Sequence, residues 1–179
     1  MIKIRCSSID RVLNCAHSLF LPVEKTDNVY STTGTAQHEL ARAFLINGDV
    51  DIKKTLWNKM NNNTKVYCKY VNQAFKNQYK INIEKTYKKE IGNFLLQGTP
   101  DVWWEVEKEK TIEIVDLKNG YQEVTPLSNQ LKGYGLLVGK NGYTMKFTVV
   151  QNEEINSITL PYEALQDRDW ETISFQLVR

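Results

Sequence analysis

The chain has 179 residues, 41% hydrophobic and 25% charged, with four prolines, nine glycines and a formal net charge of +2. That composition excludes a disordered chain, a collagen-like chain and a disulfide scaffold, and the whole span, 1–179, reads as one domain able to bury a core of useful size. No stretch is apolar enough for export or for a membrane span, and Cys6, Cys15 and Cys68 are odd in number without metal-ligand spacing, so free thiols in a reduced, cytoplasmic setting are expected.

Taken along the chain, Ser7 or Ser8 can cap a short helix carrying Ile9, Val12, Leu13 and Ala16 and ending before Pro22. A polar stretch from Glu24 to Thr33 leads to Gly34, and Thr35 to Leu45 has a helical pattern that closes at Asn47-Gly48. A short helix is expected over 51–60, a loop at Asn61-Asn62-Asn63, and a longer helix from Thr64 to Tyr79. That helix puts Tyr67, Tyr70, Val71, Ala74 and Gln78 on one side, with Lys65, Lys69, Lys76 and Lys80 as a ridge opposite. Between Ile52 and Lys89 ten lysines face one acid, Glu84, so the segment carries +9 and the rest of the chain −7. Such segregation favours a polyanionic partner, although a solvated helix face accounts for the ridge equally well.

Strands are expected at 81–90, 93–97, 100–106 and 111–118, then a loop from Tyr121 to Pro126. Ser128 to Val138 reads as a helix, its regularity weakened by Gly133 and Gly135. Strands at Tyr143–Gln151 and Ile155–Leu160 follow, and a terminal helix from Tyr162 to Ile173. Helices, then a run of strands, then helix and strand describe an α/β (α+β) fold with a central mixed β-sheet flanked by helices.

The chemistry concentrates on two strands. Thr99-Pro100-Asp101 opens one, through Val102, Trp103, Trp104 and Val106, and Asp116-Leu117-Lys118 closes the next. Alternation puts Asp116 and Lys118 on the face that Ile112 and Ile114 occupy further back. Packing alone does not call for an apolar face that ends in an acid and an amine. Two converging carboxylates can hold a divalent cation, and a lysine beside them can handle an attacking water. His38 lies one turn after Gly34 and one turn before Arg42, where an imidazole can join such a site. His17 has no such neighbours and is read as structural or surface. Gln130 and Tyr134 share a helix face, which by itself is only a polar surface.

The strings GTPDVWW, IEIVDLKNG and NQLKGYG, preceded by GTAQHELA, resemble the RecB-like branch of the PD-(D/E)XK nuclease superfamily, and especially a phage-associated group of RecB-like domains. The likeness runs from Ser7 to about Gln151, with the motifs in family order. It implies a restriction-endonuclease-like core and Mg²⁺- or Mn²⁺-dependent hydrolysis of DNA phosphodiester bonds, of the exonuclease type. By that resemblance His38 matches the helical histidine ligand, Asp101 the first acidic ligand and Asp116 the second. Leu117 matches a main-chain carbonyl ligand and Lys118 the catalytic lysine. Gln130 and Tyr134 match a Gln-x-x-x-Tyr motif that contacts DNA beside the site, and Glu84 an acidic position of some members. The ridge of Lys65, Lys69, Lys76 and Lys80 would then track the phosphate backbone. Trp57 and Tyr79, among those lysines, read better as core than as stacking platforms. Some relatives carry a four-cysteine iron–sulfur cluster; Cys15 lies near its first position but no cysteine follows Cys68, so no cluster is expected. Without helicase motifs the chain would act alone, as a homo-oligomer, or with a separate recombination or replication protein. The alternative is a non-catalytic DNA-binding or protein-binding adaptor that keeps the nuclease fold.

Overall fold

Ile112 to Leu117 are all buried, so the strand that carries them has to be covered on both faces. The computed structural model describes residues 2–15, 18 and 29–166, with backbone alone at 29–31. Its elements are β1 (Ile2–Arg5), α1 (Ile9–Asn14), α2 (Val29–Ile46), α3 (Val50–Lys59), α4 (Asn62–Lys76), β2 (Ile81–Ile83), β3 (Tyr87–Ile91), β4 (Phe94–Gly98), β5 (Val102–Val106), β6 (Thr111–Lys118), α5 (Asn129–Val138), β7 (Thr144–Gln151) and β8 (Glu154–Pro161). The mixed sheet expected between helices is five-stranded, in the order β2-β5-β6-β7-β8. β6 and β7 run parallel, connected through α5, and the other neighbours are antiparallel. A second mixed sheet, β1-β4-β3, accompanies it.

Each face of β6 has its own core. Ile112 and Ile114 pack with Phe94, Leu131, Tyr134 and Phe147. Val115 and Leu117 pack with Val102, Trp104 and the helical residues Ala41, Phe44, Tyr67, Val71 and Ala74. Helices α2 and α4 therefore cover one face of the five-stranded sheet and α5 the other. Among the described residues no helix is long and apolar enough to cross a membrane.

Several elements differ from the sequence expectation. α2 begins at Val29, before the expected Thr35, and Gly34 lies inside it. A side chain at Gly34 would meet nothing within 4 Å, so the glycine costs the helix roughly 1 kcal/mol without breaking it. The asparagine triplet is not a loop. Asn61 caps α4, its Oδ1 accepting the Thr64 N–H at 2.8 Å, and Asn62 and Asn63 are helical. α4 stops at Lys76, and Gln78 adopts a left-handed φ of 59°, so Lys80 follows the turn and does not extend the ridge of Lys65, Lys69 and Lys76. The strand expected over 81–90 is broken at Glu84, at φ 44°. Cys6–Ser8 is a 3-10 turn in which Ser8 makes no side-chain cap. Of the expected terminal helix, Tyr162–Leu165 is a 3-10 turn followed by a bend at Gln166, and 167–173 lie outside the described residues, as do Ala16, His17 and Pro22.

Gly133 and Gly135 are what let α5 lie close to its neighbours. A methyl group at Gly133 would meet Ile9 Cδ1 at 2.6 Å, and one at Gly135 would meet Leu165 Cδ1 at 2.6 Å and Phe147 Cζ at 2.7 Å. Gly98 of β4 is equally crowded, with Cys6 Sγ at 2.6 Å and the Tyr134 ring at 2.8 and 2.9 Å from the position of an added methyl. Gly98→Ala is expected to lower stability by about 1–3 kcal/mol through overpacking. Urea unfolding reads this as a lower midpoint at unchanged slope, and an unchanged midpoint would show that α5 yields freely.

Candidate active site

β5 and β6 pair with Val102 opposite Val115, so Asp101 and Asp116 emerge together at the end of that ladder. Asp101 Oδ2 accepts the Leu117 N–H at 2.8 Å and joins the two strand ends. The Asp101 carbonyl accepts the Glu84 N–H at 2.9 Å, which anchors it from the β2 side. From one face α2 brings His38, with Nδ1 3.5 Å from Asp101 Oδ2. From the other face α5 brings Gln130, whose Oε1 accepts from Lys118 Nζ at 3.1 Å while its Nε2 donates to the Tyr134 hydroxyl at 2.8 Å. Lys118 Nζ also lies 2.9 Å from Asp116 Oδ2. His38, Asp101, Asp116, Leu117, Lys118, Gln130 and Tyr134 are thus brought together from four elements. Tyr134 is largely buried, and its hydroxyl meets Gln130.

The lysines of the ridge form no hydrogen bond or ion pair with this cluster. Lys65 and Lys69 stand over the Trp57 ring, 6.0 and 5.6 Å from its centroid, and Trp57 packs on Phe44. Lys76 and Lys80 are exposed. Trp57 and Tyr79 are partly buried against the core on the α2–α4 side, as core residues would be. Glu84 pairs with Arg42, one turn beyond His38, at 3.2 Å.

Charge at the site is held under tension. Burial, then the negative charge of Asp101, pushes Asp116 up to about 6 in spite of Lys118. Its Oδ2 is buried and is paired with the Lys118 ammonium at 2.9 Å. For His38 burial works downward, but the contact and charge of Asp101, with Asp116 behind it, outweigh burial and leave the imidazole raised. Glu113, on the opposite face of β6, is a useful contrast. It is equally sequestered but accepts from the Tyr70 hydroxyl at 2.6 Å, Thr148 Oγ1 at 2.8 Å and Lys146 Nζ at 3.1 Å, which is a satisfied structural network.

Among the described residues no three His, Cys, Asp or Glu side chains form a ready-made metal cage. The donor set nevertheless fits a hard divalent cation. Asp116 supplies a buried carboxylate, Asp101 a second carboxylate and His38 an imidazole, all at one sheet end.

Two supporting residues were not legible as such in the sequence. Asn63 Nδ2 donates to the Lys118 carbonyl at 2.8 Å and to Asn119 Oδ1 at 3.1 Å, while Asn63 Oδ1 accepts the Glu153 N–H at 3.0 Å. Gln151 Nε2 donates to the carbonyls of Gly120 and Gln122, both at 2.8 Å, and its Oε1 accepts the Val124 N–H at 2.9 Å. The one available signal was that β6 and β7 each end an apolar run in a polar residue, and Gln151 is the register partner of Lys118.

No protein-family model matches the chain, and no curated protein does. Among solved structures it is similar to SSO0001, at 13% identity and a TM-score of 0.49, over 98% of this chain and 73% of that one. A likeness that slight carries no argument about fold or site.

Asp116→Asn removes a charge that burial disfavours and leaves Lys118 its contact with Gln130. Because the folded-state pKa of Asp116 is raised, its ionisation costs stability above about pH 6, and that cost disappears as the group protonates at lower pH. The variant is therefore expected to be more stable than wild type at pH 8, by on the order of 1–2 kcal/mol, and to lose the advantage towards pH 4. Thermal unfolding across that range measures it. A variant less stable at pH 8 would make Asp116 an ordinary structural ion-pair partner.

Proposed function

We propose that the chain is a metal-dependent DNA nuclease of the RecB-like PD-(D/E)XK type, hydrolysing phosphodiester bonds in the manner of an exonuclease. The observation that carries this reading is the convergence of the buried Asp116 carboxylate with Asp101, His38 and Lys118 at one sheet end. Glu113 on the other face adds two hydroxyl donors to its lysine, whereas Asp116 has a second carboxylate beside it that opposes its ionisation. The motif resemblance in the sequence supports the same assignment. Mg²⁺ or Mn²⁺ held by His38, Asp101, Asp116 and the Leu117 carbonyl would lower the pKa of an attacking water and neutralise charge on the scissile phosphate.

The remaining roles fall to the chain's own residues. Lys118 would keep Gln130 as its partner when a cation takes Asp116 Oδ2, and its ammonium would stay at the site to orient a water or to stabilise negative charge on the phosphate. Tyr134 holds Gln130 by a hydrogen bond and so supports that lysine indirectly. Asp101, tied to the Leu117 N–H, keeps its carboxylate beside His38. The exposed lysines of the 52–89 segment attract the polyanionic backbone without reading bases. A cytoplasmic setting and a recombination or replication partner belong to the same reading.

Purified protein with Mn²⁺ should degrade linear DNA and leave closed circles intact, and EDTA should stop it. Lys118→Ala should lower the cleavage rate on the order of 10²–10⁴-fold while retaining affinity for DNA. Wild-type protein with no metal-dependent cleavage, or an Ala variant as fast as wild type, would overturn the assignment.

A further inference from the structure

We propose that the cavity at the end of β5 remote from Asp101, where the strand runs out into Glu107 and Lys108, binds a free nucleoside monophosphate. The cavity measures about 510 Å³, within the range of small-molecule sites, and shares no lining residue with the cluster around Asp101 and Asp116. Its reading as a nucleotide site is independent of the nuclease reading and goes beyond it.

The floor sets an aromatic ring and an amide side by side. Asn82 of β2 is the register partner of Trp103 of β5, so both side chains stand on one face at the edge of the five-stranded sheet. Trp103 is half-buried. Its Nε1 donates to the Tyr87 hydroxyl at 3.0 Å, and the Tyr87 ring meets it edge-on at 5.8 Å. The indole is therefore fixed in advance, which spares an ordering cost on binding. Asn82 is only 9% exposed. Its Oδ1 accepts from Lys85 Nζ at 3.0 Å, and its Nδ2 has no hydrogen-bond partner among the described residues. A buried amide donor left over beside an aromatic ring suits a planar ligand with acceptors on its edge, and a nucleobase is such a ligand.

The rim supplies the rest. Gln78 turns the chain after α4 at a left-handed φ of 59°, its N–H donating to the Phe75 carbonyl at 3.0 Å and the Tyr79 N–H to the Ala74 carbonyl at 3.2 Å. That position favours glycine, and a glutamine there carries strain. What the glutamine adds is a second amide in the cavity lining. Lys80 and Lys108, both exposed, belong to the same lining. Of the two acids there, Glu105 is already engaged by the Lys140 ammonium, which leaves Glu107 alone against two lysines. The surplus positive charge favours a phosphate group at the rim, with the base on Trp103 and Asn82 below.

Titration calorimetry in EDTA, with dAMP, deoxyadenosine and inorganic phosphate as probes, reads binding apart from any cleavage. Wild type should bind dAMP more tightly than either fragment. Lys80→Gln combined with Lys108→Gln, both at exposed positions, should weaken dAMP on the order of tenfold, towards the affinity of deoxyadenosine. Gln78→Gly should weaken dAMP roughly fivefold and yet raise the unfolding temperature, because it relieves the left-handed turn. A side chain with only a structural role would not lose ligand while gaining stability. Wild type without dAMP binding, or with equal affinity for inorganic phosphate, would overturn the assignment, as would dAMP affinity unmoved in both variants. So would a loss seen with Lys118→Ala in their place, which would put the nucleotide at the candidate active site. An oligothymidylate that binds more tightly than dAMP and weakens with the same variants would also overturn it, by making the cavity part of a strand's path.

Discussion

Asp101 Oδ2 accepts the Leu117 N–H at 2.8 Å, at the point where the β5–β6 ladder runs out. That bond keeps two strand ends from splaying and holds one carboxylate against the next strand. Everything else at the site is placed relative to it. Asp116 follows from the register, Lys118 from the two-residue period of β6, and His38 from the contact of α2 with Asp101. At this sheet end α2 reaches Asp101 through His38 from one face and α5 reaches Lys118 through Gln130 from the other.

The fold tolerates an unfavourable arrangement to keep this geometry. A carboxylate as buried as Asp116 is disfavoured in its charged form, and Asp101 nearby makes it worse. Lys118, 2.9 Å from Asp116 Oδ2, relieves part of that cost. Two residues further back on β6, Ile114 is ordinary core, and on the other face the buried acid Glu113 meets two hydroxyls and the Lys146 ammonium. On the proposed nuclease reading, the cost of ionising Asp116 is stability given up for chemistry. The close approach of α5, made possible by glycines on its core side, brings Gln130 within reach of Lys118.

Much of the candidate site was legible because it depends on short periods. The alternation along 111–118 placed Asp116 and Lys118 on the Ile112–Ile114 face, and a four-residue spacing joined Gln130 to Tyr134, as the hydrogen bond between them shows. The apolar face of α4 followed from helical spacing in the same way. What the sequence concealed depends on distant partners. Asn63 reaches Lys118 across 55 residues and Glu153 across 90, and nothing local marks an asparagine triplet as a cap and a bracket instead of a loop. Gln151 became meaningful only once the parallel register set it beside Lys118. Lys80 was misplaced because a single left-handed residue at Gln78 ended the helix that the lysine spacing seemed to extend.

The central claim is that His38, Asp101 and Asp116 together form a metal centre served by Lys118. Anomalous diffraction from a crystal grown with Mn²⁺ tests it most directly. A single strong peak bonded to all three side chains, with Lys118 displaced from Asp116 Oδ2, is the expected result. A peak elsewhere, or no peak at saturating Mn²⁺ with Lys118 still paired to Asp116, would contradict it.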